Sequence, residues 1–505
     1  MSLKSKLTRR NRDYIVLFIL NAAGMILELV ASRLMSPYFG NSNFVWTAII
    51  GIILLAGSLG NILGGKIANK RNARYLTIML LLFAAIYLAI TPMIDAPILS
   101  AIKSGNNGVQ FSSVISSIVF FLVPATILGI ITPIIMKEHI ASSKDQGKES
   151  GTITAVIAIG SLLGTFIGGF WIIPAIGTRL IFDVLAITII LMVPLFMPIT
   201  DTKSIKLKWR YFFAMLLATI IAVASIITVN SMTKNVEGSV SIDTEYGRII
   251  VEDGILGNDE VRYYKQSGAY SSATFLAEDK KYDLVFNYLK KYDEMFKFLN
   301  VKNTAMIGGA AYQYPKYFIS NFKDKSMDVI EIDPMSTEIA KNYFFLDDLV
   351  NDFDTESSGR LGLYNEDGRV FLADSTKKYD AILNDAFSGE VPVGTLATVE
   401  AAKIIKSRLN KDGVYMSNVL GAVSGHRGKF LRSEVKTLRQ VFRHVYVMPV
   451  YENATSNQYV NWMVIATDND KYVPKTVDIE ITDKDITLTD DYCPIDSLVT
   501  TEYFD

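Results

Sequence analysis

Seven apolar stretches, each long enough to cross a bilayer, follow one another as far as Val229 and then stop. They lie at 14–34, 44–65, 75–94, 111–136, 153–171, 180–198 and 211–229. A helix needs about 20 apolar residues to span the hydrocarbon core. Seven such runs in succession, with basic residues gathered between only some of them, are not the pattern of a water-soluble protein. The sequence therefore predicts an α-helical membrane bundle of seven spans over residues 1–229, fused to an α/β domain over 230–505. Within that domain it predicts β-hairpins and a helix over 238–300, a doubly wound core over 301–470 and a tail over 471–505.

Charge suggests a sidedness. Lys and Arg accumulate in short cytoplasmic loops. Lys4, Lys6, Arg9, Arg10 and Arg12 precede the first span; Lys66, Lys70, Arg71 and Arg74 follow the second. Lys137, Lys144 and Lys148 follow the fourth, and Lys203, Lys206, Lys208 and Arg210 the sixth. The alternate loops are nearly bare: 36–43 has no base, 95–110 carries Lys103 alone and 172–179 carries Arg179 alone. This predicts a multi-pass protein of the cell membrane, with a cytoplasmic N-terminus and an extracytoplasmic C-terminal domain. The first span is too long for a cleavable signal peptide and lacks a small-x-small site.

A net charge of −1 and the lack of a basic patch argue against nucleic acid as a partner. The expected partners are the bilayer and a small-molecule or membrane-associated substrate; a homo-oligomer is left open. The one cysteine, Cys493, excludes an internal disulfide. His139, His426 and His444 are scattered, so no metal site is predicted.

Within the spans, Gly60 and Gly64, and Gly160, Gly164 and Gly168, fall four apart, on one helix face where backbones can approach closely. Gly57-Ser-Leu-Gly-Asn-Ile-Leu-Gly-Gly65 also resembles Gly160-Ser-Leu-Leu-Gly-Thr-Phe-Ile-Gly-Gly169. If spans one to three and four to six are repeats, their topology is inverted, as in many transporters. Glu28, Arg33 and Asp183 are the ionisable residues within the spans. Asn21 and Glu28, seven apart, share a face; Glu28 and Arg33, five apart, do not. Asn21, Glu28 and Arg33 form a candidate polar site in the membrane, since charge there usually faces protein or a cavity.

In the C-terminal part, residues 238–270 alternate apolar and polar residues around turn signals, as hairpins do. A helical stretch follows at 282–298. Short buried strands then end at Gly308-Gly309, at Glu331 and Asp333, before Asp367-Gly368, and at Asp385. A further strand is predicted at 413–419. Strands alternating with helices imply a parallel sheet, and ligands of such sheets sit at the carboxyl ends of the strands. Glycines there permit close approach of a ligand, and an acid at the second strand's end can accept ribose hydroxyls.

These residues resemble a family. Gly308-Gly309, Val329-Ile-Glu-Ile-Asp-Pro334, Ala340-Lys-Asn-Tyr-Phe344, Asp367-Gly-Arg-Val-Phe-Leu372 and Tyr379-Asp-Ala-Ile-Leu-Asn-Asp-Ala-Phe-Ser-Gly389 are similar to spermidine synthase, the polyamine aminopropyltransferase fold. Leu396-Ala-Thr-Val-Glu400 and Leu409-Asn-Lys-Asp-Gly-Val414 continue the match, which covers roughly 238–470. Glu28-Leu-Val-Ala-Ser-Arg33, Pro37-Tyr-Phe-Gly40 and Trp46 resemble the membrane segments of bacterial proteins fused to such a domain.

The resemblance implies a Rossmann-like, methyltransferase-type core with N-terminal β-hairpins. It implies S-adenosylmethionine or its decarboxylated form as cofactor. Gly308, Gly309, Glu331, Asp333, Asp367, Gly368 and Gln266 would hold that cofactor, with Glu331 on the ribose and Asp367 near the adenine. Asp385 would take the proton of the attacking amine, with Tyr282 on the amine side. The family's first loop runs Gly-Gly-Gly-Asp-Gly-Gly; here it reads Gly308-Gly-Ala-Ala-Tyr-Gln313, and the family's second acid after the fourth strand is Ser388. Two amine-binding carboxylates are gone, which argues against spermidine synthesis itself. The expectation is a membrane-anchored transferase-fold enzyme acting on an extracytoplasmic or membrane-associated amine. Two alternatives stay open. One is a transporter-like protein with a catalytically silent ligand-binding domain. The other is a displacement or cyclisation with Asp385 as base and no external cofactor.

Overall fold

The computed structural model describes residues 3–40, 42–105, 108–197, 205–234, 239–244, 246–298, 300–388, 391–471 and 473–499. Lys203 and residues 235–238 lie outside them, as do the side chains of Lys4, Lys6, Lys206, Lys208, Arg210 and Ser388. The chain divides into two compact units, Met1–Glu237 and Gly238–Asp505.

Among the described residues the first unit contains seven helices long and apolar enough to cross a membrane: Arg9–Phe39, Asn43–Ile67, Ala73–Ser104, Gly108–Ser142, Gln146–Ile172, Thr178–Phe196 and Tyr211–Thr228. Large apolar side chains such as Leu54, Ile62, Leu162, Phe170, Trp171 and Leu191 point outward. So much exposed apolar surface fits a multi-pass membrane protein. The four-residue glycine spacing serves close packing. A Cβ on Gly160 or Gly164 would lie 2.5 Å from the carbonyl oxygen of Phe18 or Ala22 on the first span. Gly60 and Gly64 rest in the same way on the fourth span's backbone between Thr126 and Ile130. The last helix of this unit runs Ile205–Lys234, past Val229, where the seventh predicted span ends.

The second unit opens with an antiparallel meander of four strands: β1 (Ser239–Asp243), β2 (Arg248–Leu256), β3 (Asp259–Gln266) and β4 (Ala269–Phe275), paired in that order. The stretch predicted as a helix over 282–298 holds a 3₁₀ helix, Asn287–Lys297, instead. The reason lies in its spacing: Leu289, Tyr292 and Met295 recur every third residue and are all buried, the period of a three-residue turn.

Seven strands form the main sheet. They are β5 (Asn303–Ile307), β6 (Ser326–Ile330), β7 (Leu361–Tyr364), β8 (Tyr379–Asn384), β11 (Leu409–Gly421), β12 (His444–Pro449) and β13 (Val460–Thr467). A two-stranded ribbon of β9 (Phe387–Ser388) and β10 (Val391–Pro392) stands apart. The order is β12-β13-β11-β8-β5-β6-β7. The five strands from β11 to β7 are parallel. β13 is antiparallel to both its neighbours, an edge the sequence did not predict. Successive residues of β5 feed opposite layers: Ala305 and Ile307 join one core, Met306 the other. A strand buried on both faces needs no polar alternation.

The segment expected as a tail belongs to the domain. Ile481, Ile486, Leu488 and Leu498 pack into one layer, and Asp485 pairs with Arg432 at 2.9 Å. Its apolar residues are too sparse for a regular period, which hid this from the sequence.

Candidate active site

Strand order turns back between β5 and β8, and a crevice opens at such a switch point. A cavity of about 480 Å³ lies there. Its wall includes Gly308, Gly309, Glu331, Asp367, Gly368, Asp385 and Gln266, all singled out from sequence. No Lys, Arg or His lines it among the described residues.

Asp385 follows β8, its amide donating to the Ile307 carbonyl at 2.9 Å. The hydroxyl of Tyr288 donates to one carboxylate oxygen at 3.0 Å, and the Asn418 amide to the other at 2.8 Å. Asn461 donates in turn to the Asn418 side-chain oxygen at 3.0 Å. All these partners are neutral. Burial pushes the Asp385 carboxyl up to about 6, against the two hydrogen bonds, which favour its charged form. Gly308 makes this approach of β5 and β8 feasible. It sits at φ +91°, and a Cβ there would lie 2.7 Å from the Asp385 carbonyl oxygen.

Glu331 grips the next loop. One oxygen accepts from the amides of Gly309 and Ala310, each at 2.8 Å; the other accepts from Asp333 N at 3.0 Å. Burial still raises its carboxyl above the usual range. Ala310 and Tyr312 hold left-handed φ values of 45° and 56° where the resembling loop has glycine. The glycine-type backbone thus persists without glycine. Ala311 occupies that loop's acid position and is buried.

Three expectations need correction. Asp333 does not line the cavity; it caps the helix Pro334–Tyr343 by accepting from Met335 N, and its other oxygen accepts from Thr244 at 2.5 Å. The second acid of a strand-Glu-x-Asp-Pro sequence has become an N-cap. Tyr282 is also outside the cavity, its hydroxyl donating to Asp352 at 2.7 Å. The 3₁₀ turn brings Tyr288 to Asp385 instead. In the membrane unit, the Asn21 amide donates to its own helix at the Leu17 carbonyl instead of joining Glu28 and Arg33. These three do not form one site. Asp367 lines the cavity and caps the helix Gly368–Asp374 as well.

Tyr288, Asn418 and Asn461 were missed. The polar pair Ser417-Asn418 inside an otherwise apolar strand was the available signal. No group of three or more potential metal ligands occurs among the described residues.

Residues 285–478 match the spermine/spermidine synthase domain. That match lies within the globular unit. Polyamine aminopropyltransferase of Vibrio vulnificus is 29% identical over 144 residues, 28% of this chain and 44% of that protein. The enzyme of that name from Alkaliphilus metalliredigens is 34% identical over 97 residues, 19% of this chain and 31% of that one. The chain therefore spans less than half the length of either relative. Among solved structures, a probable spermidine synthase from Corynebacterium glutamicum is 20% identical, with a TM-score of 0.39 over 46% of this chain and 81% of that chain. Spermidine synthase from Thermotoga maritima is 16% identical, with a TM-score of 0.36 over 52% and 84%.

Proposed function

We propose that the globular unit transfers an alkyl group from a sulfonium nucleoside, S-adenosylmethionine or its decarboxylated form, to an amine held by Asp385. The observation that carries this is Asp385 itself: buried at the cavity wall, met only by neutral donors, with its carboxyl near 6. Such a carboxylate is charged at neutral pH and basic enough to take a proton from an amine.

The cavity fits the cofactor. It is acid-lined, as a cation requires, and Gly308 and Gly309 bring the first loop to its wall. Gly308, Gly309, Glu331, Asp367 and Gln266 would hold the nucleoside. When bound, a sulfonium would supply a carbon activated for displacement, its carbon–sulfur bond breaking as the carbon–nitrogen bond forms and its sulfur leaving as a neutral thioether. Asp385 orients the incoming nitrogen and accepts its proton, while Tyr288 and Asn418 keep the carboxylate aimed. With Ala311 at the resembling loop's acid position, the wall offers an amine Asp385 but no second acid from that loop. An acceptor with one amine at the site suits this better than a diamine.

Calorimetric titration of the purified chain tests the binding step. Saturable heat with either sulfonium, weakened in Gln266→Ala, supports the proposal; no saturable heat with either one refutes it. The loop charges further support a cytoplasmic N-terminus and an extracytoplasmic transferase domain. Protease added to intact cells would then release a fragment beginning near residue 235. A domain resistant until lysis overturns that placement.

A further inference from the structure

We propose that the membrane unit is a carrier for cationic amines, built as an inverted repeat and closed at each end by an ionic latch. The packing has the symmetry such a repeat demands. The second span packs on the fourth and the fifth on the first, exchanging partners as spans one to three map onto four to six; the third and sixth pack on each other. Sequence follows it. Gly24 and Gly129, Gly60 and Gly164, Gly64 and Gly168, and Arg74 and Arg179 each stand 104 or 105 residues apart. Three spans per repeat is an odd number, so Arg74 and Arg179 begin their helices at opposite ends of the bundle.

Each arginine closes its own end. Arg74 takes Asp13 in a bidentate pair at 2.9 and 2.6 Å, holds Glu138 at 2.6 Å and donates to the Phe196 carbonyl at 3.1 Å. His139 bridges Asp13 and Glu149, each at 3.0 Å. This latch joins the first, third, fourth, fifth and sixth spans. At the other end Arg179 takes Asp95 in a bidentate pair at 3.1 and 3.2 Å. Arg74 and Asp95 share the third helix, 21 residues apart and hence about 31 Å at 1.5 Å per residue, close to the hydrocarbon thickness.

Between the latches lie two carboxylates with no cationic partner among the described residues, Glu28 on the first span and Asp183 on the sixth. By helix rise they share a depth: Glu28 stands about 22 Å from Asp13, and Asp183 about 6 Å inward from Arg179. The first and sixth spans pack together. Asp183 is fully buried, and its polar neighbour, the Ser225 hydroxyl of the seventh span, is neutral and leaves its charge uncountered. Unpaired charge at that depth is expensive and marks a pathway. An ammonium cation supplies the missing counter-charge.

The test uses the full chain in liposomes with labelled putrescine and methylammonium as probes. Saturable uptake of at least one is expected, reduced at least tenfold by Glu28→Gln and by Asp183→Asn. In a Cys493→Ser background, Arg179→Ala is expected to speed labelling of Ser117→Cys, at a position buried on the fourth span, by an impermeant maleimide at least fivefold. The exchange Asp95→Arg with Arg179→Asp should restore slow labelling, which a misfolded variant would not do. Uptake of neither probe above protein-free liposomes overturns the proposal. So does uptake unchanged in both carboxylate variants.

Discussion

Two sites, one in each unit, treat buried charge in opposite ways. At one end of the helical bundle Arg74 is wrapped by Asp13, Glu138 and a carbonyl, and His139 ties Asp13 to Glu149. In the globular cleft Asp385 receives a phenol and an amide and no cation. A fully countered charge fixes the helices around it and is inert. A carboxylate held by neutral donors keeps its basicity, so its environment is suited to proton transfer rather than to anchoring. The same contrast separates Asp485, paired with Arg432, from Glu434, whose Oε2 has no partner and whose carboxyl burial pushes up to about 7.

Four substitutions probe this contrast. Asp385→Asn is expected to have the largest effect, lowering transfer roughly 10²- to 10⁴-fold, the usual worth of a positioned base. Its melting temperature should not fall, because the amide removes a buried charge. Arg74→Ala should cost about 3–5 kcal/mol of stability in detergent melts, since it strands Asp13 in a buried site. A loss under 1 kcal/mol there would mean that the latch does not hold the helices.

Glu434→Gln should stabilise, with a definite pH signature. The folded carboxyl is raised from 4.5 to about 7, so the fold disfavours its charged form. That cost is absent below pH 4.5, grows as the pH rises and is complete above about 7. The variant should gain up to about 3 kcal/mol at pH 8, at about 1.4 kcal/mol per pKa unit, and nothing at pH 4. An equal gain at both values would remove titration as the cause. Arg443→Ala, which opens the exposed pair with Asp470, should leave the melting temperature essentially unchanged.

Features that repeat along the chain were legible in the sequence. Apolar runs showed the seven spans, and strand ends marked by Gly308, Glu331, Asp367 and Asp385 showed the crevice. Contacts that depend on where a side chain points were hidden. Tyr282 precedes the 3₁₀ helix and Tyr288 lies in its first turn, and that placement decides which of them reaches Asp385. Asp333 looked like a second cofactor acid because capping a helix and lining a cavity call for the same residue type. Asn461 lies on an antiparallel strand that a parallel reading does not anticipate. The latches escaped because Asp13, Arg74, Glu138 and Glu149 sit at span ends, where the charge pattern reads as loops facing water.

The most direct test of the account is the pH dependence of transfer from labelled decarboxylated S-adenosylmethionine to an amine, measured for wild type and Asp385→Asn. Asp385 must be deprotonated to accept the proton, so wild-type kcat/KM should fall about tenfold per pH unit below an apparent pKa near 6. The variant should lose that limb along with at least a hundredfold in rate. Turnover that persists in Asp385→Asn with the acid limb intact would contradict the account.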